Sequence, residues 1–438
     1  MTEIPIQEQD RGSEYSRRDF IRKAGSGIAA LSVCSVLPSG NGYSESTPGS
    51  GNTTSQTETS GMETREFDLG GPKVKLSQPW VATELKEGRC WYPSLLGFGS
   101  GKILLAHSLV ADSNYNFVSG TQILISNDNG KTFNSGFDMS YSFVLGPKQR
   151  PNGKYVCLAS NPKPEPMGQY RNFSTHCIVL EDFGRKYSFH PFGAIIRNLP
   201  RDIEALPNPS RTSFANLALF GDILSLRHDF WLASLYGRFQ GDERYTSMVI
   251  ASKDQGHSWD YLATPFTPEN VSAGEEGPCE SCLTQLTNGH IMMVARSGNM
   301  NVPLARSYSR DSGKTWSEPD SLPAKGVAPR LIRLQNGCQV LSTGREGIHL
   351  WISPDEHAEK WYHMDIKNYH NSVMGKEHFI DTSDSLAIRH QTTAYTGTVE
   401  IEPNRFLLAY DRIPFGWEGV PADSGEVARI YLLEITVG

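Results

Sequence analysis

Chain turns and the residues at fixed distances from them mark the chemistry in this 438-residue sequence. Glycine or asparagine turns at Gly101, Gly153, Gly221, Gly289, Gly337 and Asn404 each separate two apolar segments. Nine residues ahead of three of these turns stand Tyr92, Glu280 and Tyr395. Just beyond the turns, second segments end in His107, Arg227, Arg296, Arg345 and Arg412. Where such positions converge they gather a carboxylate that accepts protons, phenols, and guanidinium forks that bind carboxylates two bonds at a time. A lone arginine at a strand end is usually a solvated rim residue. Four in register with a glutamate and tyrosines exceed what a structural repeat needs.

The elements that must position these residues are strands. In residues 278–316 a short apolar strand carrying Glu280 turns at Asn288-Gly289, a strong hairpin signal, and a second strand delivers Arg296 at its far end. A third strand runs into SRDSGKTW, where Ser309, Asp311, Gly313, Thr315 and Trp316 have the S-x-D-x-G-x-T-W spacing of an Asp box. In such a turn the Ser and Asp side chains bond to backbone amides, Gly takes the positive φ, and Trp folds back into the core. SNDNGKTF from Ser126 and SKDQGHSW from Ser252 are further copies, and SPDEHAEKW from Ser353 reads as a lengthened one.

The six hairpins recur at spacings of 52, 68, 68, 48 and 67 residues, room for about four short strands each. Units of that kind cannot bury both faces alone. The sequence therefore predicts an all-β fold, a six-bladed β-propeller of four-stranded antiparallel blades, with equivalent positions converging on the central axis. A β-sandwich of equal strand count would not explain the box-plus-hairpin register. RIYLLEITVG reads as a last strand that closes the ring with the first blade, and little helix is expected.

A net charge of −7 without a long Lys/Arg block argues against nucleic-acid partners. Forty-one Gly, 26 Pro and 10% aromatics suit an all-β chain rich in turns. At the N-terminus, Ser16-Arg17-Arg18-Asp19-Phe20 precedes a modest apolar run from Ala24 to Leu37. That order resembles a twin-arginine export signal, expected over 1–39, and places the protein in the periplasm or outside the cell. Leu31 to Cys34 is a weak lipoprotein-type motif and leaves lipid anchoring open. A disordered Ser/Thr/Gly linker is expected over 40–64 and the folded domain over 65–438. No integral membrane span is expected after signal removal, because no later stretch nears the ~20 apolar residues required. Cys279 and Cys282 have CxxC spacing but no second pair, and so read as buried thiols. No metal site or cofactor is indicated.

These blades and boxes resemble the sialidase (neuraminidase) superfamily of BNR/Asp-box proteins over roughly residues 75–438. The segment with Glu280 and Arg296 is similar to the one carrying that family's catalytic Glu and the second Arg of its carboxylate-binding triad. STGREGIHLWIS places Arg345 as the third, and TTAYTGTVEIEPNRFLLAYD places Tyr395 as the nucleophile. The resemblance implies a secreted, exo-acting glycoside hydrolase that removes a terminal sialic acid or related acidic sugar from a glycan or oligosaccharide. Tyr395 would attack, with Glu280 as its base. The arginines would hold the substrate carboxylate, whose charge would repel a carboxylate nucleophile. An acid/base Asp protonates the leaving oxygen, and Asp112 is the best match.

One departure stands out. Cys90-Trp91-Tyr92-Pro93 replaces the family's Tyr-Arg-Ile-Pro, so Trp91 stands where the first Arg belongs and Arg89 is the available substitute. A Trp here also suits a neutral sugar stacked on its face. The alternatives are thus a neutral-sugar glycosidase or a polysaccharide lyase, with Tyr395 or His107 as base, on the same propeller. A non-catalytic glycan-binding propeller would need neither Glu280 nor Tyr395. Arg227 and Arg412 are expected either to line the funnel or to form rim ion pairs, and Asp411 to pair with Arg412 or serve as a rival acid.

Overall fold

The computed structural model describes residues 63–109, 120–139, 146, 148–165, 170–182, 186–205, 217–227, 229–271, 274–298 and 302–438. Expectations for the signal and linker (1–62) and for Asp112 lie outside these residues. Among the described residues the chain is all-β, with one α-helix of eight residues, Ile366–Val373. Its strands form five sheets. Three are four-stranded antiparallel units that begin at Trp91–Gly97, Cys279–Gln285 and Val327–Arg333. A nine-stranded sheet divides at a parallel seam, Ile195–Arg197 beside Ser258–Asp260, into two antiparallel runs. In the last sheet, Ala428–Val437 pairs on one edge with Arg405–Arg412 and on the other with the N-terminal strands Lys73–Ser77 and Trp80–Leu85. The closing strand therefore joins the N-terminal strands of its own sheet.

The second strands are continuous apolar runs because both their faces are covered. Ile291–Arg296 is buried at every position, as is Gln339–Gly344. Each antiparallel run packs on the next through a shared core. Leu96, Leu104 and Ile123 meet Cys157 and Ile178; Leu232 and Val249 meet Leu283 and Met293; Leu350 and Ile352 meet Leu408 and Leu433. The series returns to its start, because Leu95, Ile103 and Leu105 pack against Leu407, Ala409 and Leu432.

The Asp boxes turn the third strand of a unit into its fourth. In each regular copy the Ser hydroxyl donates to the Asp at 2.7–2.9 Å (Ser126, Ser252, Ser309). The same hydroxyl accepts the Gly amide at 2.8–2.9 Å (Gly130, Gly256, Gly313). The Asp accepts the amide four residues on, at 3.0, 2.8 and 2.9 Å. In the lengthened copy Ala358 takes the left-handed position with φ 55°, and Trp361 Nε1 donates to its carbonyl at 2.8 Å. Each regular box is thus closed within one turn.

One hairpin differs from the sequence expectation. Gly221 is not a turn: the strand Leu217–Arg227 runs through it and reverses only before Phe230. Arg227 consequently sits beside the hairpin end, exposed, its guanidinium 5.7 Å over the Phe230 ring.

Candidate active site

The leading strands of four units share one irregularity. Pairing shifts between Trp91/Ser94, Phe220/Leu224, Cys279/Cys282 and Val327/Arg330, so each strand carries extra residue length in a β-bulge. At the matching position the backbone is left-handed: Tyr92 (φ 54°), Gly221 (73°), Glu280 (47°) and Ala328 (47°). In the last unit Ala394 (65°) stands immediately before Tyr395. For residues with a Cβ this conformation costs on the order of 1 kcal/mol or more, and it re-aims the side chain out of the strand's alternation.

Those bulges bring the chemistry together. Glu280 is 1% exposed. Tyr395 O–H donates to its Oε1 at 2.5 Å, while Ala328 N–H and Arg296 Nη1 donate to Oε2 at 3.0 and 3.3 Å. Arg296 also reaches Glu276 at 3.1 Å. Burial opposes its charge, but Glu280 and Glu276 overcome this and hold the guanidinium protonated far above any working pH. Arg345 is the other case. Burial and the neighbouring Arg296 charge lower its proton affinity, partly offset by Tyr395, Glu280 and Tyr92. Among the described residues no carboxylate pairs with Arg345, whose guanidinium lies 5.2 Å over the Trp417 ring. The surrounding wall is aromatic. Tyr92 packs against Tyr395 (ring centroids 4.7 Å apart), Trp91 (5.5 Å) and Trp417 (6.2 Å).

Asp411 fixes two of these elements to each other. Its fully buried carboxyl accepts from Thr392 Oγ1 at 2.7 Å, Thr393 N–H at 2.8 Å, the Thr393 hydroxyl, and Tyr92 N–H at 3.2 Å. Burial nevertheless pushes its pKa up to about 6. It is therefore neither an ion-pair partner of Arg412 nor an exposed acid. It ties the Tyr92 bulge to the segment that presents Tyr395.

The remaining sequence candidates are placed as follows. Trp91 is 1% exposed, so it offers no face for a sugar to stack on. Arg89 stacks on Trp91 at 5.1 Å and reaches the site only at its edge, within electrostatic range of Tyr92. Arg412 is buried and committed to the carbonyls of Phe379 (2.9 Å) and Val427 (3.3 Å), with Glu426 at 3.5 Å. Arg227 is remote from the cluster because of the shifted hairpin. His107 is sealed between Cys90 Sγ (3.6 Å) and Gln122 (3.1 Å), and burial lowers its pKa to about 4; it is not positioned as a base in this site. Cys279 and Cys282 are both buried, each 2% exposed.

Sequence reasoning missed Glu276, Ala328 and Trp417. Ala328 was findable: it stands nine residues before Gly337, as Glu280 does before Gly289. Glu276 and Trp417 come from loops outside the repeat and carry no such signal.

Taken together, the fold and the buried Tyr–Glu–Arg constellation define an all-β protein of Asp-box units with a polar site on its leading strands. The family described as BNR repeat-like domain matches residues 149–371, and the chain belongs to it. Solved structures share the fold at low identity. A protein of unknown function from Dyadobacter fermentans aligns with a TM-score of 0.60 at 16% identity, covering 83% of this chain and 99% of that one. The α-L-arabinofuranosidase Arb93A from Fusarium graminearum gives 0.53 at 13%, covering 81% and 98%. The NanB sialidase from Streptococcus pneumoniae, as its K499G mutant, gives 0.51 at 12%, covering 82% and 70%. No curated protein sequence matches significantly.

Proposed function

We propose that this protein is an exo-acting, retaining glycoside hydrolase on a six-bladed propeller, cleaving a terminal sialic acid or related acidic sugar. The observation that carries this reading is the 2.5 Å hydrogen bond from Tyr395 to Glu280. In the first step the Tyr395 oxygen attacks the anomeric carbon as its proton passes to Glu280 Oε1. The bond to the leaving oxygen breaks, and Asp112 protonates that oxygen. Water activated by Asp112 then cleaves the tyrosyl–sugar bond, and Glu280 returns the proton to Tyr395. Arg345, without a carboxylate of its own, is the substrate-carboxylate fork. Arg296 serves chiefly to orient Glu280. The segment 1–39 acts as an export signal, and the enzyme works in the periplasm or outside the cell.

A second reading, a glycosidase for a neutral sugar, draws support from the absence of an arginine at the first triad position, where Trp91 stands. The fold neighbour Arb93A, an α-L-arabinofuranosidase, points the same way. The deciding measurement is turnover of a fluorogenic α-sialoside beside an α-L-arabinofuranoside, with Tyr395→Phe and Glu280→Ala variants. Each substitution is expected to lower turnover by roughly 10²–10⁴-fold or more; Tyr395→Phe should leave the unfolding midpoint nearly unchanged, whereas Glu280→Ala should also lower it because the buried Arg296 loses a partner. Sialoside turnover that survives Tyr395→Phe would sink the mechanism, and turnover of the arabinofuranoside alone would move the neutral-sugar reading ahead.

A further inference from the structure

Two residues beyond the Ala328 bulge, on the same strand, stands a second arginine whose situation the proposed reaction does not explain. Arg330 is 8% exposed. Its guanidinium lies 4.7 Å over the Phe220 ring, and among the described residues it makes no hydrogen bond and no ion pair. A guanidinium carries five donors and a charge that burial penalises heavily, and an aromatic face offsets only a fraction of that loss. Such a group calls for an acceptor.

Among the described residues no neighbour supplies one. Cys282 is the ionisable neighbour that senses Arg330, but burial drives its thiol pKa far up, so it stays neutral. Asp222 accepts the Gly146 amide at 3.2 Å and counters the ammonium of Lys148. It forms no ion pair with Arg330. The position neighbours the Tyr395–Glu280 pair through residues that both touch it. Phe220 belongs to the cluster of Tyr92 and Tyr395, Ala328 donates to Glu280, and Cys282 lies two residues beyond Glu280.

We propose that Arg330 holds a small anion, a carboxylate or a halide-sized inorganic ion, at the floor of the site. The inference is independent of the glycosidase reading, since it rests on the electrostatics of one buried cation. Two sources share this chemistry: an acidic group on a substrate, and a resident inorganic anion.

The test is thermal unfolding of the full chain and of Arg330→Met, titrated with sodium chloride or sodium acetate. Ionic strength is held constant with the salt of a bulky sulfonate. For the wild type the midpoint is expected to rise saturably by several degrees. For Arg330→Met the rise is expected to vanish, with an anion-free midpoint at or above that of the wild type. Stabilisation by acetate but not chloride identifies a carboxylate site, and equal stabilisation identifies a resident inorganic anion. A wild type without a saturable response, or one that Arg330→Met reproduces, overturns the proposal. Should Arg330→Met fail to fold, wild-type crystals soaked in bromide and, separately, in acetate decide: either anion within hydrogen-bond distance of the Arg330 guanidinium supports the site, and the absence of both refutes it.

Discussion

The Asp-box turns and the leading-strand bulges are both repeated in register, yet they repeat different things. Each box repeats its side chains: Ser, Asp and an aromatic recur, and the turn satisfies its own bonds. The bulges repeat only a backbone conformation, with Tyr92, Gly221, Glu280 and Ala328 sharing a left-handed φ and little else. A turn that must be identical in every unit is free to use one chemical solution. A site built where units converge needs the same geometry with a different side chain from each. The two regions also hold their carboxylates in opposite ways. Bonds from the Thr315 hydroxyl and amide hold the Asp311 pKa down to about 2, whereas burial pushes that of Asp411 up to about 6.

That opposition gives the largest expected effect. A carboxyl whose folded value is raised contributes stability that is complete below its unfolded value of 3.8 and lost as pH rises through about 6. For Asp411 the swing is on the order of 3 kcal/mol. Denaturant unfolding should therefore show the wild type gaining stability between pH 7 and pH 5 relative to Asp411→Asn. Parallel pH profiles would remove Asp411 from the account. Asp311 has the reverse sign: its contribution is present above 3.8 and lost as pH falls through about 2.

Next comes the bulge that only glycine fits. A Cβ at Gly221 would lie 2.9 Å from Cys282 Cα and 2.9 Å from the Ser281 carbonyl, on a backbone with φ of +73°. Gly221→Ala should cost about 2–3 kcal/mol and disturb the Glu280 strand. A midpoint within one degree of wild type would show that these strands are not in tight contact.

Breaking a box should cost less and leave chemistry alone. Asp311→Ala removes acceptors for the Thr315 hydroxyl and amide at an exposed turn, a loss of about 1–2 kcal/mol. Turnover should be unchanged; a matching loss of kcat would mean the boxes serve the site directly. The smallest effect has the opposite sign. Ala328→Gly relieves a left-handed alanine while keeping the amide that reaches Glu280, and should raise stability by less than about 1 kcal/mol. A fall in stability would show that the bulge is not strained at Ala328.

The same contrast explains what could be read from the sequence. The boxes were legible because their side chains are the structure. Glu280, Arg296, Arg345 and Tyr395 were legible through hairpin register, and the structure brings Tyr395 and Glu280 within one hydrogen bond. Gly221 misled because a positive φ serves a tight turn and a bulge equally well, and LALFGDILSL reads as strand, turn, strand. That single slip carried Arg227 into the predicted site. Arg412 kept its register, but its guanidinium was taken by the Phe379 carbonyl, from a segment outside the repeat. Trp91 was legible as a residue type, while its burial depends on Trp417, which nothing in the repeat announces.

The strand Ala428–Val437 is paired on both edges, with Val74, Lys75 and Leu76 lying opposite Val437, Thr436 and Ile435. Residues synthesised among the first of the folded unit thus wait for the last ones before their apolar faces are covered. Without 428–437, Val74 and Leu76 would keep only their pairing with Phe67 and Arg65 and lose the strand that covers their other edge. The sheet is therefore sealed by a pairing between segments more than 350 residues apart, the kind of long-range contact that forms late in folding.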